Sequence, residues 1–318
     1  MPHPRSLLRN QSRDLHTITS KVPSIIGGAL IFLTLVAVGT YIYISRAFVD
    51  VSSVRIAVGS PQNEIKILIF DFDEPSASVI SIPPATQVSV ARQLGEWKAG
   101  SVWELGEDEG DKGGILADTV MKSFGIPIEE WAGEGVLGYI SPNILSRVRA
   151  AFGLYDASLG IRERLALGLI SIRIRSGGVA HISLEEFAFM REETLKDGSE
   201  GYVVRGELPS KIVGIFADPR FVTDKNQPLK IKIIDGAQGH GLATVHTIQN
   251  VSEVLGAKVV SIEENNTEIQ GCLIRGRSML EYVSGIMGHL FRCNVELSNT
   301  VNDVDLEVHF GSDYIRKF

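Results

Sequence analysis

Cysteine is scarce in this chain: Cys272 and Cys293 are the two cysteines among 318 residues. The sequence therefore offers one intrachain disulfide at most. Two outcomes stay open, a bridge between these residues or two separately buried thiols. A bridge requires an oxidising compartment outside the cytoplasm.

Charge is absent from one long segment near the N-terminus. Residues 22–45, VPSIIGGALIFLTLVAVGTYIYIS, contain no Asp, Glu, Lys or Arg. A helix that crosses a bilayer needs about 20 apolar residues. We predict a transmembrane helix here, because a core helix of this length would carry a polar stripe and a signal peptide has a shorter apolar region. The alternative is a signal peptide that is cleaved near Ser45 and Ala47.

Basic residues flank one side of this segment. Four of them precede it against a single acid, whereas Arg46 and Asp50 nearly cancel on the other side. The positive-inside rule therefore places residues 1–21 in the cytoplasm and everything after Arg46 outside. We expect a single-pass protein of the cell membrane with an extracytoplasmic body.

Basic residues are also few in the rest of the chain. Residues 22–318 keep 27 of the 31 basic and 37 of the 38 acidic residues, a formal charge of −10. Such a body gains little from phosphate backbones, which argues against nucleic acid as a partner. The sequence also lacks a Ser/His/Asp or Cys/His arrangement with a recognisable local signature.

The part after the apolar segment divides into three predicted regions. Residues 46–60 are predicted as a juxtamembrane stalk, residues 61–225 as a first domain and residues 229–318 as a second. The boundary lies in the polar segment 218–228, which has a proline near each end. Strand and helix patterns alternate, which indicates the α/β class.

Periodicity predicts the elements of the first domain. EIKILIFDFD and the following SVISIP form a hairpin, and ELGEDEGDKGG forms an exposed acidic loop. ILADTVMKSFG is a short helix with Gly125 after its end, and SPNILSRVRAAFG is a helix with Ser141 as N-cap. A third helix lies within residues 161–174.

The second domain has clearer boundaries. LKIKIID is a strand, and a turn connects it to a helix over residues 242–255. AKVVSIEEN and TEIQGCLIRG are further strands, followed by a helix over residues 278–290 and the strands NVELSN and DVDLEVHFG. These elements predict a small βαβ-plus-βαββ unit.

A glycine-rich turn opens the first helix of that unit. Gly236, Gly239 and Gly241 in DGAQGHGLA could in principle hold a phosphate at the helix N-terminus. Their spacing differs from G-x-G-x-x-G, and a dinucleotide-binding half-fold has no room before the end of the chain. We therefore interpret them as a structural turn and expect no bound cofactor.

Three patterns of charged or metal-ligating residues resemble binding sites. His240 and His246 are six residues apart, which does not suit two metal ligands on one helical face, and GEDEGD lacks the spacing of an EF-hand loop. No metal site is therefore predicted. On a strand, Arg173 and Arg175 would point the same way and could clamp a diphosphate. At the end of a helix, their positive charges would instead interact favourably with the helix dipole. They are the weak candidates for a catalytic role.

The second domain carries a family resemblance. IKIIDGAQGHGLATVHTIQNVSEVLGAKVVSIEEN, together with NDVDLEVHFGSDY near the end, resembles the C-terminal domain of the LytR-CpsA-Psr (LCP) envelope proteins. Asp235 replaces the usual Asn, and Phe310 replaces a Leu. The first domain resembles the family's catalytic domain more faintly, in IKILIFDFDEPSASVISIP, in Gly113-Gly114 and in GIPIEEW.

The resemblance implies a specific chemistry. In that family the catalytic domain transfers glycopolymers from a polyprenyl-pyrophosphate carrier to the wall, with basic residues on the pyrophosphate and acids on magnesium. The family motif after Ile-Pro is Arg-Asp-Thr, whereas this chain has Pro84-Ala85-Thr86. A pyrophosphate needs cations, and this corner supplies none.

The expected function is therefore non-catalytic. We predict a degenerate LCP-like α/β domain and a LytR-type C-terminal domain that bind or scaffold cell-wall components. Expected partners are the lipid bilayer and a cell-wall polymer or envelope proteins. The alternative is an active LCP-type glycopolymer transferase that uses magnesium.

Overall fold

A computed structural model describes most of the chain. It covers residues 32, 34–36, 38–40, 42, 43, 52–61, 63–175, 177–223, 225–237, 239–265, 270–298 and 303–318. The chain forms two compact units, residues 1–49 and residues 50–318.

The described part of the first unit is helical between Phe32 and Tyr43. The predicted cytoplasmic tail and most of the predicted span 22–45 lie outside the described residues. Among the residues that the structure does describe, no helix combines the length and apolar character needed to cross a membrane.

The second unit is mixed α/β, as the sequence predicts. Its central sheet has the strand order β6-β1-β2-β3-β7. The ranges are β1 Ser53–Gly59, β2 Ile65–Asp71, β3 Ser76–Ile82, β6 Glu130–Gly133 and β7 Val179–Ser183. The predicted hairpin is confirmed, since β2 and β3 pair antiparallel with Asp71 opposite Ser76.

Two further sheets complete the unit. The small sheet has the order β5-β4-β9-β8, and the C-terminal sheet has the order β11-β10-β14-β12-β13. The small sheet comprises β4 Thr86–Ser89, β5 Glu96–Lys98, β8 Met190–Thr194 and β9 Glu200–Val204. The C-terminal sheet comprises β10 Lys230–Asp235, β11 Lys258–Glu264, β12 Cys272–Gly276, β13 Asn294–Leu297 and β14 Leu306–Phe310.

The described α-helices of this unit connect the sheets. They are α1 Val102–Asp108, α2 Lys112–Phe124, α3 Ile144–Phe152, α4 Ile161–Arg173, α5 Ser210–Phe216, α6 Leu242–Val254 and α7 Glu281–Phe291. The three helices predicted in the first domain correspond to α2, α3 and α4, and the two predicted in the second correspond to α6 and α7.

Helix α2 lies at the centre of the unit. It packs against β1, β4, β6 and α6, and its apolar side chains Ile115, Leu116 and Val120 are fully buried. It ends at Gly125, whose φ of 66° suits glycine. A Cβ on Gly125 would lie 2.9 Å from the Cβ of Asn250 in α6. One apolar core therefore continues from the central sheet to the C-terminal sheet.

The structure corrects three predictions. The stalk prediction is wrong for Ser53–Gly59, because this segment pairs with both β2 and β6 and is almost wholly buried. ELGEDEGDKGG is not a loop, since α1 contains its first part; its acids Glu107, Asp108 and Glu109 do face solvent.

The third correction concerns a helix start. Asn143 caps α3 in place of Ser141, because its side chain accepts a hydrogen bond from the backbone N–H of Leu145. Within the predicted domain boundary 218–228, Asp218 and Phe221 are buried, whereas residues 225–228 are exposed. The division into domains at this segment stays a prediction.

Candidate functional site

The corner between β3 and β4 is a packed turn. The N–H of Thr86 donates to the carbonyl of Pro83 at 3.1 Å, and the N–H of Gly100 donates to the carbonyl of Pro84 at 3.0 Å. The N–H of Tyr202 donates to the carbonyl of Ala85 at 3.2 Å. The backbone of the corner is therefore engaged in holding the small sheet, and Pro84 and Ala85 supply no cation or metal ligand.

A groove lies on the small sheet beyond this corner. It encloses about 540 Å³ and includes residues of β4, β8 and β9. Two of its three cations have acidic partners: Lys196 Nζ lies 2.5 Å from Glu96 Oε2, and Arg205 lies 3.1 Å from Glu193. The third, Lys122, donates to the carbonyl of Val90 at 2.9 Å. Each of these cations is therefore already engaged, two by acids and one by a backbone carbonyl.

The structure places Arg173 and Arg175 far from the corner. Arg173 is the last residue of α4, and both arginines are exposed. They precede β7, which pairs parallel to β3 with Val179 opposite Ala77. They thus lie near the start of β3, whereas the corner follows its end, a strand of seven residues or about 20 Å away. Arg173 ends the helix, where its charge favours the dipole, and Arg175 follows the helix without lying on a strand.

The glycine-rich turn after β10 has a structural explanation. Gly239 has a φ of 81°, and a Cβ on Gly241 would lie 2.6 Å from the ring of Phe310. The buried carboxylate of Asp235 accepts the N–H of Ala237 at 2.7 Å. Gly236 donates its N–H to the carbonyl of Phe310. These contacts fix the entry into α6.

Cys272 and Cys293 are joined in a disulfide, with their Cα atoms 4.7 Å apart. This distance lies within the range that a disulfide requires. The bridge connects the start of β12 to the turn after α7. It leaves no free cysteine in the chain.

A group of charges that the sequence did not predict lies beside α2. We call it the charge cluster; it comprises Arg92, Asp111, Asp118, Arg292 and Lys317. These residues come from the loop after β4, the start and middle of α2, the turn after α7 and the C-terminal turn. Arg92 pairs with Asp111, while Arg292 and Lys317 approach Asp118.

Asp118 is the centre of the charge cluster. Its side chain is 1% exposed, and neither carboxylate oxygen has a hydrogen-bond partner among the described residues. Lys317 Nζ lies 3.8 Å from Oδ1, and Arg292 lies 3.9 Å from Oδ2. Burial raises the pKa of Asp118, an effect that Lys317, Arg292 and Arg92 oppose.

Lys317 is perturbed in the opposite direction. Its side chain is 11% exposed, and burial lowers its pKa to about 8, although Asp118 works against this shift. Its ammonium also lies over the ring of Phe318, 4.9 Å from the centroid. Asp118 and Lys317 are therefore two buried ionisable groups whose charges few hydrogen bonds stabilise.

Backbone strain marks the two arginines of the cluster. Arg92 has a φ of 57° and Arg292 a φ of 53°. Non-glycine residues rarely adopt this left-handed conformation, and where they do the surrounding structure must hold them. The N–H of Arg92 donates to the carbonyl of Lys317 at 3.2 Å, and the N–H of Ala91 donates to Thr119 Oγ1 at 3.1 Å.

The cluster is suited to anions. The side chains of Arg92 and Arg292 are 33% and 52% exposed, so their guanidinium groups reach solvent. Guanidinium groups bind phosphate and carboxylate oxygens through paired N–H donors. In the described part of the chain, no three His, Cys, Asp or Glu side chains converge as metal ligands.

One signal in the sequence points to this site. Asp118 stands within ILADTVMKSF, a segment that is otherwise mostly apolar, and a buried carboxylate needs partners. Those partners follow 174 and 199 residues later in the chain, and no local pattern identifies them.

Comparisons with known proteins give structural matches alone. No family model matches the chain, and no curated protein matches it. Bacillus subtilis TagV matches with a TM-score of 0.37 and 13% identity, over 48% of this chain and 91% of that one. B. subtilis TagT matches with a TM-score of 0.35 and 11% identity, over 49% of this chain and 86% of that one.

Two further matches are TagT structures with ligands. One is described as a LytR-CPS2A-psr family protein with bound octaprenyl pyrophosphate lipid, and the other as TagT bound to LIIa-WTA. They are 11% and 12% identical to this chain, each with a TM-score of 0.35 and each matching 49% of it. The chain is thus similar to LCP proteins over about half its length.

Proposed function

We propose that this chain is a membrane-anchored, extracytoplasmic envelope protein that binds phosphate-bearing wall polymers or their lipid carriers without transferring them. The observation that carries the proposal is the corner Pro83-Pro84-Ala85. The LCP resemblance places Arg-Asp there, whereas this chain has two uncharged residues whose backbone supports the small sheet. The fold element remains, and the groups that would act on a pyrophosphate are missing from it.

The membrane anchor of this proposal comes from the sequence. It rests on the uncharged segment 22–45 and on the basic residues that precede it. The extracytoplasmic position of the body follows from that orientation, and the Cys272–Cys293 bridge is compatible with an oxidising compartment.

The charge cluster is the proposed site of binding. Arg92 and Arg292 reach solvent there and have left-handed backbone conformations, and the three cations of the cluster outnumber its two acids. Polymer phosphates would accept hydrogen bonds from the two guanidinium groups. Asp118 stays buried behind them and limits the positive charge of the site.

Purified full-length protein with magnesium is expected to release no phosphate-bearing product from a polyprenyl-pyrophosphate-linked glycan. Transfer of this kind depends on cations aimed at the developing charge, and the corner has none. The comparison variant carries Pro84→Arg with Ala85→Asp and is assayed in parallel. Turnover by the unmodified chain that is lost on changing Arg173 or Arg175 would favour the transferase alternative.

Binding should depend on the charge cluster. We expect Arg92→Gln combined with Arg292→Gln to weaken binding of the same glycan by roughly tenfold or more, since a charge-assisted hydrogen bond contributes about 1.5–3 kcal/mol. The measurement is titration of the full-length protein in detergent. Arg191→Gln with Lys225→Gln removes the same charge at exposed positions outside the cluster and should leave affinity unchanged; equal loss in both variants would contradict this site.

A further inference from the structure

Helices α3 and α4 form a hairpin whose outer surface is strongly apolar. The two helices pack side by side, and Gly168 allows close approach because a Cβ there would lie 3.1 Å from the Cβ of Ala151. Their small residues Ala150, Ala151 and Ala166 are buried. The exposed apolar side chains are Ile144, Leu145, Val148, Phe152, Leu154, Ile161, Leu169 and Ile172. We call this set the hairpin surface.

The spacing of these residues defines faces of the two helices. Ile144, Val148 and Phe152 recur every four residues along α3, which places them on one side of that helix. Ile161, Leu169 and Ile172 are eight and three residues apart along α4, which also places them on one side of their helix. Eight exposed apolar side chains on one hairpin are far more than the scattered single residues of an ordinary surface.

The hairpin also differs in charge from the rest of the chain. Residues 144–175 contain six arginines and two acids, a formal charge of +4, whereas the whole chain has −7. Two of these arginines serve the fold: Arg147 and Arg164 donate to backbone carbonyls around the hairpin. Asp156, one of the two acids, is paired with Lys112 at 2.7 Å.

Three arginines stay available at this surface. Arg149, Arg173 and Arg175 are exposed and have no acidic partner among the described residues. An apolar face bordered by arginines is the pattern of helices that lie in the interface of a bilayer with anionic lipids. The arginine stems extend over apolar groups while their charged ends reach the headgroups.

We propose that the hairpin surface docks on the anionic lipid surface of the membrane that anchors the chain. The inference rests on the anchor of the proposed function and adds a second membrane contact, made by the body itself. A second copy of the chain fits this surface poorly, because a symmetric contact would bring together two hairpins that each carry a formal charge of +4 over residues 144–175.

The chain allows a clean labelling test, because its two native cysteines are joined to each other. Leu154→Cys and Met279→Cys each introduce a single thiol at an exposed apolar position, the first on the hairpin surface and the second remote from it in sequence. Each thiol of the full-length protein is labelled with an NBD fluorophore. The protein is then incorporated into nanodiscs of phosphatidylcholine, with or without phosphatidylglycerol.

With phosphatidylglycerol, the probe at position 154 should shift to shorter wavelength and be quenched by lipids brominated in their acyl chains. The probe at position 279 should show neither effect. Neutralising Arg173 and Arg175 to Gln should lower the ratio of docked to undocked protein roughly 30-fold, since each arginine near an anionic surface contributes about a factor of five. Arg191→Gln with Lys225→Gln removes the same charge at exposed positions outside the hairpin surface and the charge cluster, and should leave this ratio unchanged.

Three results would overturn the inference. A probe at position 154 that stays as water-exposed as the one at 279 shows that the body does not dock. A shift that grows with protein concentration, equally in discs without phosphatidylglycerol, shows that a second copy covers the surface. Protein that is not recovered with the discs at all refutes the anchor and the docking with it, whereas recovery with a water-exposed probe refutes the docking alone.

Discussion

Glu129→Leu is expected to destabilise the body by about 3–5 kcal/mol, because it leaves the guanidinium of Arg55 buried without its partner. The side chains of Arg55 and Glu129 are only 3% and 12% exposed. Arg55 Nη1 donates to Glu129 Oε1 at 2.6 Å, and the backbone N–H of Arg55 donates to Oε2 at 2.7 Å. Urea unfolding of the full-length protein in detergent, followed by tryptophan fluorescence, gives the change in free energy.

The position of this pair explains the size of the effect. Arg55 lies within β1, and its Nη2 also donates to the carbonyl of Phe216 at the end of α5. Burial raises the pKa of Glu129, while Arg55 opposes that shift. The pair therefore connects the central sheet to α5 at a point where neither charge has water as a substitute partner.

A double substitution separates the cost of an orphaned charge from the value of the pair. Arg55→Met combined with Glu129→Leu should cost much less than either single change, because no buried charge is left. The exposed pair Lys196–Glu96 is the matched control: Lys196→Met should cost at most about 1 kcal/mol. Equal losses for the single and double variants at Arg55 and Glu129 would refute this explanation.

Local patterns were sufficient for most elements of the body. The apolar runs of β2 and β3 and the turn between them predict the hairpin, because side-chain burial on both faces requires a continuous apolar strand. The helix α2 is predicted from its apolar positions and from Gly125, whose left-handed φ ends it. These features depend on neighbours within a few residues along the chain.

Features that depend on distant partners were not predictable. Ser53–Gly59 is a strand because β2 and β6 lie on its two sides, and β6 comes some 75 residues later. The acidic residues around α1 suggest a loop, yet Val102 and Trp103 are buried and hold the helix in place. The charge cluster is the extreme case, since its members come from both ends of the body.

The last expected result concerns this cluster: the free energy of unfolding should rise by about 2 kcal/mol between pH 8 and pH 9.5. Lys317 has a pKa of about 8 in the folded protein and an ordinary value of 10.5 when unfolded. In this interval the unfolded chain binds a proton that the folded chain has released. Stability therefore increases with pH, by about 1.4 kcal/mol for each pH unit.

Two substitutions at the charge cluster test the origin of this rise. Lys317→Met should remove the Lys317 contribution; Lys122, whose pKa burial also lowers, keeps its own. Asp118→Asn removes the carboxylate that holds the pKa of Lys317 up, so the rise should begin below pH 8. Lys196→Met, at an exposed lysine, should leave the profile unchanged. If Lys317→Met keeps the full slope, Lys317 is protonated in the folded protein throughout the range from pH 8 to pH 9.5. The charge cluster then keeps one more positive charge for its anionic ligand over this range.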